Sequence, residues 1–134
     1  MITDWKQDYS VGHTMLDEQH KGFFVLCRQA EECRQDRSAE GRERFHALLN
    51  ELVVYAKRHF ATEESLLALY GYPRLGDQKA EHEVFNEKLT QFIFEATFGE
   101  LDRDGLFSYL TAWWTEHILL SDMKYRDFLQ SQVG

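Results

Sequence analysis

Four histidines interrupt apolar stripes at helical spacing, one in each of four segments: His20, His59, His82 and His117. Two acids accompany them. Glu63 stands four residues after His59, and Asp122 stands five after His117. A buried carboxylate or imidazole is costly unless it is paired or bound to a metal. One histidine on an apolar face is an ordinary core residue with a single hydrogen bond. Four of them, one per segment and with two acids, point to a metal centre. Imidazole nitrogens with two carboxylates suit iron, zinc or manganese. Acids that can each bridge two ions suggest a dinuclear centre. The Glu-x-x-His spacing of ferritin-like diiron bundles is absent among these residues, and the order here is His-x-x-x-Glu. Gln78 lies four residues before His82 and shares its helix face, at a place where the pattern asks for another histidine.

These residues need elements that bring them together. Periodicity predicts helices over about 17–36, 40–70, 76–97 and 104–130, after an irregular arm, 1–16, anchored by Trp5 and Tyr9. Ser38 is a plausible N-cap, and Gly71 with Pro73 stops the second helix. Tyr70, Ile93 and Leu120 fall on the inward stripes. Four amphipathic helices with short connections pack as an all-α, up-down-up-down four-helix bundle, here a single domain over 1–134. In such a bundle the start of one helix lies level with the end of the next. His20 and His82 are early in their helices, while His59 and His117 come late, so all four gather toward one end. His46 lies 13 residues before His59, about 20 Å along the helix, and reads as a surface residue. His13 lies in the arm, away from the site.

The chain has 134 residues, 43% hydrophobic, with one proline and little strand-like alternation. That favours an all-helical domain over sandwich and α/β architectures. A net charge of -8 argues against nucleic acid and anionic membrane surfaces as partners. No apolar run approaches the ~20 residues of a membrane span, and the opening MITDWKQDYS is not a signal peptide. Cys27 and Cys33, six apart, point about 120° apart on one helix and cannot pair there. Reduced thiols fit a cytoplasmic location.

In order and spacing the chain resembles bacterial hemerythrins over nearly its whole length. The likeness rests on Trp5, Tyr9 and Val11-Gly12, then Leu16-Asp17-Glu18-Gln19-His20 and His59-Phe60-Ala61-Thr62-Glu63. It continues through Tyr72-Pro73, Lys79-Ala80-Glu81-His82, Trp113 and His117-Ile118-Leu119-Leu120-Ser121-Asp122. The resemblance implies two non-haem iron ions and reversible dioxygen binding. His20 and His59 would ligate the iron with the open position, and His82 and His117 the other. Glu63 and Asp122 would bridge both, with a solvent-derived oxo or hydroxo group. The step from His117 to Asp122 is wide for an ideal helix and asks for a local loosening. Two positions depart from the family. Gln78 stands where a third histidine would bind the second iron, and Trp114 where a leucine usually lines the ligand pocket. Ile118 matches the family's apolar pocket residue.

Three functions remain distinct at this point. The first is a non-enzymatic binder of dioxygen or another small ligand, for storage, delivery or sensing. The second is a diiron oxidase or peroxidase-like enzyme that uses the position opened by Gln78. The third is a binding module with zinc, one metal or none.

Overall fold

The computed structural model describes residues 4–99 and 102–133. The first three residues of the expected arm, and residues 100, 101 and 134 of the expected single domain, lie outside the described residues. Four helical rods and no strands are present among the described residues. They are α1 (Thr14–Cys33), α2 (Ala39–Leu69), α3 (Leu75–Phe98) and a fourth rod in three parts. That rod starts as α4 (Arg103–Glu116), passes through a π-helical turn (His117–Ser121) and runs on as α5 (Asp122–Val133).

The helix ends differ from the expected bounds for local reasons. α1 starts at Thr14 and not at 17, because the His13 ring serves as N-cap and its Nδ1 accepts from Leu16 N at 3.4 Å. Asp17 sits in the first turn and receives the arm. Its carboxylate accepts from Val11 N at 2.9 Å and from Ser10 Oγ at 2.5 Å. α1 stops at Cys33, short of 36, and Asp36 instead accepts from Ser38 N and Oγ. Ser38 caps α2 as expected, accepting from Gly41 N at 3.0 Å. Gly71 follows α2 at φ 70°, in the left-handed region that only glycine adopts freely. Asp102 caps α4 through Gly105 N at 3.0 Å.

The rods alternate in direction. The end of α1 meets the start of α4, where Arg103 donates to the Cys33 and Asp36 carbonyls at 3.2 and 2.6 Å. The start of α1 meets the far part of the fourth rod, where His20 approaches Asp122. Two apolar clusters result. The larger holds Phe23, Phe45, Phe60, Phe85, Phe107 and Trp114 among others. The smaller joins Val11, Leu16, Leu67, Tyr72, Tyr125 and Leu129 at the other end. The arm packs on the larger cluster through Trp5 and Tyr9, whose ring centroids lie 6.1 and 5.9 Å from Phe24.

Three residues expected inside are outside. Tyr70 is 40% exposed beyond the last turn of α2, and Ile93 is 37% exposed on the rim of α3. Leu120 is 62% exposed because the π turn rotates it out of the stripe that His117 occupies. His46 is exposed, and the cysteines are buried and unpaired.

Candidate metal centre

His20, His59, Glu63, His82, His117 and Asp122 converge between the two apolar clusters, and none is more than 2% exposed. Their geometry divides into two halves. Glu63 Oε2 lies 3.1 Å from His59 Nε2 and 3.7 Å from His20 Nε2, while its Oε1 lies 2.9 Å from His82 Nε2 and 3.5 Å from His117 Nε2. Asp122 repeats the division, with Oδ2 3.2 Å from His20 Nε2 and Oδ1 3.1 Å from His117 Nε2. Each carboxylate thus gives one oxygen to each histidine pair.

Several of these close atoms are not hydrogen-bonded. His20 Nε2, His59 Nε2 and Asp122 Oδ2 are buried and have no hydrogen-bond partner among the described residues. Buried polar groups are seldom left so, and nitrogen and oxygen donors around a shared space suit a cation. Two triads could each hold a metal ion: His20, His59 and Glu63, and Glu63, His82 and His117.

The π turn solves the spacing on the fourth rod. Residues five apart do not align on an α-helix, but a wider turn brings Asp122 level with His117. Asp122 N bonds to the His117 carbonyl, as an i to i+5 turn requires.

A second layer fixes the rings, and it has a rule that the sequence reading missed. Gln19, on α1, accepts through Oε1 from His59 Nδ1 of α2 at 2.7 Å. Glu64, on α2, accepts from His82 Nδ1 of α3 at 2.7 Å. Glu81, on α3, accepts from His117 Nδ1 of the fourth rod at 2.8 Å. Each supporting residue adjoins a candidate ligand or bridge in its own helix and holds a histidine of the next. With Nδ1–H donating, Nε2 is left free to face the centre. His20 breaks the series, as its Nδ1 has no hydrogen-bond partner among the described residues. Tyr125 was also missed. It is fully buried and donates from Oη to Glu63 Oε2 at 3.1 Å. The signal was its place three residues after Asp122 on one helix face. Aromatic stacking locks two rings further, Phe60 on His82 at 3.9 Å and Trp113 on His117 at 4.4 Å.

Charge distribution follows. Burial opposes a charge on His20, but the adjacent carboxylates of Asp122 and Glu63 outweigh it and raise the imidazole to about 9. His117 is raised to about 10 by Asp122, Glu63 and Glu81 against the same burial. For His59 burial prevails and the pKa falls. Burial would raise Glu63, yet His117, His20 and His59 hold it well below the ordinary carboxylate range.

Gln78 points inward and is 3% exposed. Its Nε2 donates to the Ser121 carbonyl at 3.2 Å and to Asp122 Oδ1 at 3.4 Å. α3 starts at Leu75, so Gln78 sits inside the helix and not in a frayed turn facing solvent. Trp114 is 2% exposed, with its ring centroid 6.2 Å from His20 and 5.7 Å from His59. Ile118 is 1% exposed one turn on.

Residues 11–129 match the Hemerythrin HHE cation binding domain. The chain belongs to the hemerythrin family. It is 28% identical over 132 residues to the bacteriohemerythrin of Stenotrophomonas maltophilia (strain R551-3), covering 97% of this chain and 83% of the relative. It is 28% identical to the bacteriohemerythrin of Clostridium acetobutylicum, covering 92% and 98%. A hemerythrin-like protein of Naegleria gruberi is 29% identical, covering 94% and 92%. The family is one of cation-binding domains, and the helical bundle with its two triads agrees with it. No described helix is long and apolar enough to cross a membrane.

Proposed function

We propose that the protein is a non-haem diiron protein that binds dioxygen reversibly. The single observation that carries this reading is the divided carboxylate pair: Glu63 and Asp122 each give one oxygen to either histidine pair. That arrangement suits two ions side by side with two bridging acids, and it is superfluous for one. His20 and His59 would hold one iron, and His82 and His117 the other. A pair of iron(II) ions held by these residues would supply the electrons for reversible dioxygen binding.

The protein residues have separate tasks. Glu63 and Asp122 offset the positive charge in a buried place, where it would otherwise be prohibitive. Gln19, Glu64 and Glu81 keep three imidazoles in the tautomer that turns Nε2 inward. Trp114 walls the His20–His59 side with its ring, and Ile118 is buried in the same apolar cluster, which favours a small uncharged ligand over water. Phe23, 3.6 Å from Trp114 between ring centroids, backs that wall.

The test is metal analysis with optical spectroscopy. Protein purified with iron present should hold two ions per chain and show a visible band that appears with oxygen and fades on its removal. One ion or none, or a colourless iron-loaded protein, would overturn the reading. Glu63→Ala should lose at least one ion.

A further inference from the structure

Gln78 presents a problem that the bundle does not solve internally. Its amide is oriented by two acceptors, the Ser121 carbonyl and Asp122 Oδ1, both of which face Nε2. The reversed amide would set oxygen against oxygen. Oε1 therefore stays as an acceptor, buried, with no hydrogen-bond partner among the described residues. Gln78 also lines a cleft of about 370 Å³ that opens to the surface between α3 and the fourth rod. Tyr72, Arg74, Asp77, Ser121 and Lys124 give that cleft a polar wall. It has room for roughly ten water molecules at about 30 Å³ each. On the His20–His59 side, Trp114 packs with Phe23 and Phe60 against the centre.

We infer that the Gln78 cleft is a second way into the centre, serving water and small protic ligands of that size, separate from the apolar side. Its inner end is the Gln78 amide, whose free oxygen accepts a hydrogen bond from the ligand while its nitrogen holds Asp122. An imidazole there would offer a metal donor and close the position. An amide in this orientation offers an acceptor and leaves the position to an exchanging molecule. A buried unpaired acceptor favours a ligand that carries a proton to donate, so the cleft selects water-like molecules over aprotic ones. Arg74 is tied to Asp77 at 3.0 Å, which leaves Lys124 as the cation at the rim. This inference rests on the metal reading above.

The experiment measures access. Protein loaded with manganese(II), a paramagnetic ion suited to the same donors, is studied by oxygen-17 NMR of bulk water. Ala80 and Lys124 are exposed at the cleft's rim, away from the centre. Ala80→Trp and, independently, Lys124→Trp narrow the opening without touching the core. Each should slow exchange of metal-bound water by roughly tenfold or more, the scale set by a modest added barrier. Metal content and helix content should stay unchanged. Exchange as fast as in the parent protein in either folded, fully loaded variant would overturn the second way in. A parent protein that retains no manganese and no iron would overturn the metal reading instead, and the inference with it.

Discussion

Tyr125 Oη donates to Glu63 Oε2 at 3.1 Å, from a side chain with no exposed surface. The contact joins α5 to α2 across the small apolar cluster. Tyr125 therefore aims the acid that serves both histidine pairs. Burial, with Asp122 and Glu63 nearby, pushes its phenol well above the usual tyrosine value, so the proton stays on the oxygen. Tyr125→Phe leaves the shape and removes the donor. The metal-free variant should lose roughly 1–2 kcal/mol of stability, the cost of an unmet buried acceptor. Denaturant unfolding measures it, and an unchanged midpoint would show that the bond contributes nothing.

Glu81 is half-exposed yet holds His117 at 2.8 Å and Ser121 Oγ at 2.7 Å. His117 keeps its carboxyl below the usual range. Glu81→Gln weakens the acceptor that fixes the His117 tautomer. Iron affinity should fall about 10- to 100-fold, as is usual for residues that orient metal ligands. Competition with a chelator measures it. Unchanged affinity would reduce Glu81 to a surface acid.

The sign of the pH dependence can be worked out for the metal-free protein. His20 and His117 are raised from 6.5 to about 9 and about 10. Their contribution to stability is complete below 6.5 and drains away as pH rises through those values. Glu63 is lowered, so its contribution is present above its ordinary 4.5 and is lost as pH falls through its depressed value. His59, lowered from 6.5, costs stability as pH falls below that value, so the metal-free Tm should peak near pH 6.5 and fall toward pH 10. Iron affinity should rise over the same alkaline range, because binding displaces these protons. Calorimetry against pH is the check, and a flat Tm from neutral to pH 10 would contradict the assignment.

Trp114 fills the space beside His20 and His59. Trp114→Leu should open that space and speed azide binding to the iron-loaded protein, at a stability cost of roughly 2–4 kcal/mol from the cavity left behind. Stopped-flow rates decide. Equal rates in parent and variant would make Trp114 a packing residue only.

Gln78→His would exchange an amide held by Asp122 and Ser121 for an imidazole. Iron retention during dialysis against chelator should rise, and the oxygenated form should last longer. No change in either would remove position 78 from the centre's surroundings.

The bundle and the convergence of its six candidate ligands were legible because both follow from periodicity. An apolar stripe at helical spacing names the inward face, and a histidine inside it must point inward too. The His117–Asp122 spacing even signalled the local loosening that the π turn supplies. Other features were not legible, since they depend on contacts between helices. Gln19, Glu64 and Glu81 lie one position off the inward face, where sequence alone shows only polar neighbours. Their partners sit on the next helix. Leu120 was misplaced for a related reason. An even 3.6-residue count puts it inside, and one wider turn puts it out. The Gln78 amide shows the limit most plainly. Its inward direction follows from spacing, whereas which end faces Asp122 depends on a carbonyl 43 residues away.

The π turn has an effect beyond the residue it delivers. It acts as a one-residue frameshift in the helix, turning everything downstream by about 100°. Tyr125 and Leu129 lie downstream, and with Leu16, Leu67 and Tyr72 they form the smaller apolar cluster beside the histidines. Deleting one residue within 118–121 would restore an ordinary helix and put Asp122 four places after His117, as Glu63 stands after His59. The same deletion would swing Tyr125 and Leu129 out of that cluster. The regular pattern and the packed one are alternatives on this chain, and a single spare residue selects the second.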